Sequence, residues 1–287
     1  MPLLLDKGGV VYVWLKKKNN NVKNISAREV DEKSRKKEKF LSYIKLIEDE
    51  KIKNVININE VIVANYLTFL IVDYLNFSEA IQSVESIEKL EYNSNIEHIY
   101  KEIEVAVFQN HKIFVTDYIN EDDKKYYHTD EIELVEEYPI KIKLSELPIL
   151  LNLWKKRSLI INLDNINEKN KFDCVNYSRN INNHYLYPMN ILVCNGANHS
   201  QFSAIIKNHD YTIIKEWHNY SKLYDLVEFD GENYIKKIDK NIIDLSYLKI
   251  SDDLMFYSGV IFEMGRYVLN NKYHSLSKAK EIFSNSN

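Results

Sequence analysis

The chain has 287 residues, 45% of them hydrophobic and 28% charged, and a formal net charge of −4. That apolar content closes a core and excludes a disordered or linker protein, while the acidic balance excludes a surface built for non-specific nucleic-acid binding. Six glycines, four prolines and two cysteines exclude collagen-like and low-complexity classes, a four-cysteine zinc site and a disulfide framework.

In chain order, Val10–Leu15 after Gly8-Gly9 reads as a short strand, and Lys16–Asn24 as a polar loop. Ser26-Ala27-Arg28-Glu29 has the form of a capping box, opening a helix that runs to about Lys51. Asn57 or Asn59 caps a second helix through Leu75, a third covers Glu79–Leu90, and a fourth covers Ile96–Phe108, with Ile99, Ile103 and Val107 on one face. Residues 1–110 thus read as a mainly helical region. The pattern changes after Asn110. Lys112–Tyr118, Ile132–Val135, Ile140–Leu144 and Leu159–Leu163 suit short strands, and Leu147–Trp154 one or two helical turns. Met189–Cys194, Tyr211–Lys215, Leu223–Phe229 and Tyr234–Ile238 carry the densest strand signal, with Asp230-Gly231 as a turn pair. Asp252–Leu269 and Ser275–Phe283 return to helix. The expected fold is α+β: a helical N-terminal layer, then residues 111–287 as a mixed or antiparallel sheet closed by C-terminal helices.

The apolar run Met1–Leu5 ends at Asp6, short of a signal-peptide core. Val61–Phe77 is broken by Asn65, Asp73 and Asn76 and falls short of the roughly 20 apolar residues of a membrane span. A cytoplasmic chain without a membrane partner is expected. Its usage, rich in lysine, asparagine and isoleucine and poor in arginine, resembles that of an AT-rich bacterial or phage genome.

One segment reads as chemical. The strand Met189–Cys194 leads into the turn Asn195-Gly196-Ala197-Asn198, and His199-Ser200 open a helix. A strand, a tight turn and a helix start expose unpaired amides at the positive end of a helix dipole, which favours an anion. Asn198 and Ser200 are capping residues, and His199 adds a donor that titrates near neutral pH. Asn195-Gly-Ala-Asn-His-Ser200, with Ala204 in the helix behind it, resembles the Gly-x-x-His-Arg box of the ParB/sulfiredoxin-like fold. That resemblance implies phosphate binding by Asn198, His199 and Ser200, with His199 as the catalytic candidate. Serine stands where the box has arginine, which removes a bidentate phosphate partner, and Ala197 lengthens the turn by one residue. Together with Asn183-His184, Pro188 and Asp230-Gly231, the segment also resembles an uncharacterised bacterial family with a motif close to N-G-N-H-S.

The expected ligand set is Asn198, Ser200, Asn195 and Gly196, joined by His184 and Asp230 from neighbouring loops and by Arg179 and Arg157 as phosphate forks. His199, His184 and His218, with Glu216 or Asp230, are the residues that could ligate a metal. No HxH, HExxH or CxxC spacing supports that, and no metal is expected. Glu216-Trp217-His218 places a carboxylate near an imidazole, and Cys194 reads as a small buried hydrophobe. The functional expectation is a bacterial or phage protein that binds a nucleotide or another phosphate-bearing ligand, in a defence or mobile-element setting. The alternative is a non-catalytic ligand-sensing or protein-interaction module. The cofactor is left unknown, and nucleic acid is not indicated as a partner.

Overall fold

The computed structural model describes residues 32–49, 59–86, 95–108, 115–119, 125–129, 132–134, 140–209 and 211–271. The expected strand Val10–Leu15, the capping box at Ser26 and the helix Ser275–Phe283 lie outside the described residues. Helix α1 (32–48) buries Phe40 and Ile47. Helix α2 (Glu60–Glu85) is capped by the Asn59 side chain, which accepts the N–H of Ile62. It is one continuous helix where the sequence suggested two. Val61, Ala64, Leu67, Thr68, Ile71 and Val72 hold one inward face, and Asn76, Ala80 and Ser83 prolong it through the expected break. Of the described helices, α2 alone is long and apolar enough to cross a membrane, which corrects the shorter window read from sequence. Its inner face packs into the core, and its buried Asn76 bonds to the backbone of Ile149 and Leu151, as a core helix does.

Helix α3 (Ile96–Phe108) follows, then the hairpin of β1 (Val115–Ile119) and β2 (Lys125–Thr129). Strands β3 (Ile132–Leu134), β4 (Ile140–Lys143) and β5 (Ile149–Leu150) come next, then helix α4 (Lys156–Asn165). β6 (Asn183–Tyr187) and β7 (Ile191–Cys194) form a tight antiparallel pair, and helix α5 (Asn198–Ile206) leaves the end of β7. β8 (Tyr211–Ile214) and β9 (Glu216–Asn219) are followed by a short helix α6 (Leu223–Leu226). The hairpin of β10 (Val227–Phe229) and β11 (Tyr234–Lys236) comes last before helix α7 (Asp252–Asn270), capped by Ser251.

The central sheet has the order β3-β9-β6-β7-β5 and is mixed: β6 runs parallel to β9, β7 parallel to β5, and the other pairings are antiparallel. Side chains alternate across it. Leu150, Leu186, Ile191 and Val193 enter the core formed with α1, α2, α3 and α7. Tyr185, Tyr187, Leu192 and Cys194 enter a second core with α4, α5 and the β4–β8 pair. The α+β reading, with its mixed sheet and a long helix after residue 252, matches this architecture.

Three local expectations are corrected. Residues 147–154 are not helical: Ile149–Leu150 form β5, and Ile149, Leu150, Leu151 and Leu153 are all buried, so the run has no solvent face for a helix to present. Leu159–Leu163 is helical. Leu159 and Ile166 turn inward with Asn162 and Leu163 partly covered, a spacing of three and four, while Ile160 and Ile161 face solvent. Leu223–Phe229 divides into a helical turn and the strand β10.

Candidate functional site

Ile96, Ile99, Tyr100 and Ile103 are fully buried along α3. Burying each such side chain is worth about 1.5–3 kcal/mol, so this stripe fixes the rotation of the helix about its axis. Glu97 lies on the same inward side, in the first turn, where the helix dipole favours a carboxylate. Asn95 accepts the N–H of His98 and donates to Oδ1 of Asn195 at 2.8 Å, which ties the start of α3 to the end of β7.

Across from Glu97 stand two histidines. The parallel register of β6 and β9 sets His184 opposite Glu216 and Leu186 opposite His218, so both imidazoles and the Glu216 carboxylate share one sheet face. The rings stack with centroids 4.9 Å apart and planes 13° apart. His184 Nδ1 lies 3.0 Å and His218 Nδ1 3.4 Å from the Glu97 carboxylate. Along the opposite edge, Nε2 of His184 lies 3.4 Å and Nε2 of His218 2.9 Å from Glu216. Nε2 of His184 is buried and, at that distance and angle, makes no hydrogen bond. Lys101, one helical turn beyond Glu97, brings its ammonium 2.7 Å from Glu97 Oε1, and Asn195 Nδ2 donates to Oε2 at 3.0 Å. The same amide lies 3.0 Å from His184 Nδ1.

These groups differ in exposure. The side chains of Glu97 and His218 are 4% exposed and that of His184 9%, against 29% for Glu216 and 48% for Lys101, so the cluster meets solvent at Glu216 and at Lys101. Burial alone pushes the Glu97 carboxyl up, but His184, Lys101 and Asn195 outweigh it and hold the group well below the usual carboxylate range. Burial lowers the pKa of His218, against the opposing pull of Glu216 and Glu97. All four imidazole nitrogens thus lie within 3.4 Å of a carboxylate oxygen. One ligand atom from each of Glu97, His184 and His218 lies within 4.8 Å of the others, a donor set able to hold a metal ion.

Asn195 and His184, both expected at the site, belong to this cluster. Asn198, His199 and Ser200 lie elsewhere, and the first two support the segment 151–155. Asn198 Oδ1 accepts the N–H of Asn152 and His199 Nε2 that of Lys155, while α2 supplies Asn76 Oδ1 to Leu151 and Glu79 Oε2 to Leu153. Ser200 donates to Asn162 of α4 at 2.9 Å. The cap position of α5 is Ala197, in the left-handed conformation, so neither Asn198 nor Ser200 caps the helix. Burial, then Lys155, lowers the pKa of His199, so the ring favours its neutral form. These residues, with Trp154, Lys155, Ser158 and Asn162, line an open cleft of about 290 Å³.

Gly196 packs against the backbone of Asn180, and its carbonyl accepts from Cys194 and Gln201. Burial pushes the Cys194 thiol up to about 12, in keeping with a buried hydrophobe. Asp230 accepts the N–H groups of Glu232 and Asn233 and shapes the β10–β11 turn beside Phe40. Arg157 in α4 and Arg179 in a 3₁₀ turn are exposed.

Glu97 was not singled out from sequence. Its one signal was an acid set among Ile96, Ile99, Tyr100 and Ile103, on the face the helix buries. Glu216 and His218 were noticed as a local pair, but their partner lies more than 100 residues earlier in the chain. No curated protein and no solved structure matches the chain. Residues 25–275 match a family of unknown function, DUF6710, and the chain belongs to that family.

Proposed function

We propose that the chain binds one divalent first-row transition-metal ion through Nδ1 of His184, Nδ1 of His218 and a carboxylate oxygen of Glu97. The observation that carries this reading is the convergence of three buried donors: one ligand atom from each of Glu97, His184 and His218 lies within 4.8 Å of the others. An outer carboxylate commonly fixes the tautomer of a ligating histidine, and Glu216 stands in that position 2.9 Å from His218 Nε2. Two imidazoles and a carboxylate suit zinc, iron(II), cobalt(II) or manganese(II), whereas calcium and magnesium take oxygen ligands. Binding splays the two rings out of their stack, because parallel lone pairs do not converge on one ion. Three protein ligands leave room for water or substrate, which marks the centre as catalytic in kind, acting as a Lewis acid.

The test is thermal melting of the full chain with increasing zinc, cobalt or manganese. A stabilisation that grows logarithmically with metal concentration is expected, about 2.7 kcal/mol at a hundred times Kd, and absent in His218→Asn. An unchanged melting temperature with all three metals refutes the centre.

A second reading keeps the phosphate-bearing ligand implied by the ParB/sulfiredoxin-like resemblance. It is supported by the cleft at the start of α5, where His199 and Lys155 meet. In that reading the chain is a nucleotide-binding protein or a ligand-sensing module. A nucleotide panel in the same melting assay tests it: stabilisation lost in His199→Ala supports the cleft, and no shift with any nucleotide removes it.

A further inference from the structure

The cluster's charges bear on what binds beside the metal, an argument that rests on the metal reading above. With both imidazoles neutral, as metal ligands must be, two carboxylates, Glu97 and Glu216, and one ammonium, Lys101, give the protein groups one net negative charge. A dication converts this to one net positive charge in a largely buried setting, where an unbalanced charge is costly. The same event displaces Lys101. Its ammonium now sits 2.7 Å from Glu97 Oε1, an oxygen that also faces both Nδ1 atoms, and a dication there repels it. Lys101 is nearly half exposed on a helix exterior, so the freed ammonium stays at the mouth of the centre, one helical turn from Glu97.

We infer that the centre takes an oxyanion group, a phosphate or a carboxylate, held between the metal and the Lys101 ammonium. One added negative charge brings the loaded site to neutrality. Lys101 therefore has two roles: counter-ion to Glu97 before metal enters, and anion-recognising residue afterwards.

Cobalt(II) reports both steps, because its visible absorption responds to binding and then to a change of ligand. Wild-type chain and the variants Lys101→Met and Lys101→Arg are titrated with cobalt(II), and then with inorganic phosphate and, in a separate arm, acetate. All three proteins are expected to take up cobalt, Lys101→Met at least as tightly as wild type. The anion-induced spectral change is expected to need about ten to a hundred times more anion in Lys101→Met and to recover in Lys101→Arg. The stronger of the two arms identifies the preferred anion. Cobalt uptake without an anion response in wild type, or with equal anion affinity in Lys101→Met, overturns this inference and leaves the metal centre standing. Absence of cobalt uptake in wild type overturns both.

Discussion

His184 and His218 stack 4.9 Å apart on neighbouring parallel strands, with the Glu97 carboxylate along their Nδ1 edges and Glu216 along their Nε2 edges. Each ring thus lies between two acids, and replacing either takes a partner from a carboxylate. His184→Leu leaves Glu97 with Lys101 and Asn195 but without its closest ring. Losing a buried hydrogen-bonded partner to a charge is expected to cost about 2–4 kcal/mol of stability in metal-free protein. Urea unfolding of the two metal-free proteins measures this, and a cost under about 0.5 kcal/mol would show that the pairing is not energetically significant.

The segment 151–155 is held by side chains rather than by a neighbouring strand. Asn198→Ala and His199→Ala each remove the acceptor for one backbone N–H, of Asn152 and Lys155 respectively. Each is expected to lower stability by about 1–2 kcal/mol and to leave zinc affinity unchanged. Chemical unfolding paired with zinc titration checks this; a loss of zinc binding would join the two regions functionally, against this account.

Glu79 supplies the pH dependence. Its carboxyl accepts the N–H of Leu153, and burial pushes it up to about 7 despite that bond. Between about pH 4.5 and 7 the folded chain keeps a proton that the unfolded chain releases, so this contribution is full below that window and is lost as pH rises through it. The loss amounts to about 3 kcal/mol. Glu79→Gln keeps the acceptor without the titration and is expected to flatten the slope and to be the more stable protein at pH 8. Unfolding curves at pH 5 and pH 8 for both proteins decide it, and parallel slopes would exclude Glu79 as the cause.

Gly196 has no room for a side chain. A Cβ there meets the carbonyl oxygen of Asn180 at 2.6 Å, so Gly196→Ala must shift the β7–α5 turn or the 3₁₀ turn at Ser178–Asn180. A destabilisation of about 1–3 kcal/mol is expected in a melting experiment. Wild-type stability in this variant would mean that the turn yields freely.

Much of the fold was legible because its signals are local. The helix Ile96–Phe108, the strand Ile191–Cys194 and the helix after Asp252 follow from periodicity and capping alone. The errors have one physical origin: short apolar runs do not reveal whether a second face is covered. Leu151 and Leu153 are buried and lie outside any helix, whereas Ile160 and Ile161 are β-branched, exposed and helical. The site was harder to read. His184 and Asn195 were named for their nearness to the β7 turn, and they do meet, but Asn195 points toward Glu97 and away from the start of α5. The Glu97–His184–His218 group needs the register of β6 on β9 and the rotation of α3, neither of which is encoded in residue spacing along the chain.

Equilibrium dialysis of the full chain against micromolar zinc, followed by elemental analysis, tests the metal centre most directly. Wild type is expected to retain one zinc ion per chain, with the content falling to background in His218→Asn and in Glu97→Gln, and unchanged in His199→Ala. Wild type without zinc, or the same zinc content in all four proteins, would contradict the assignment of Glu97, His184 and His218 as a metal centre.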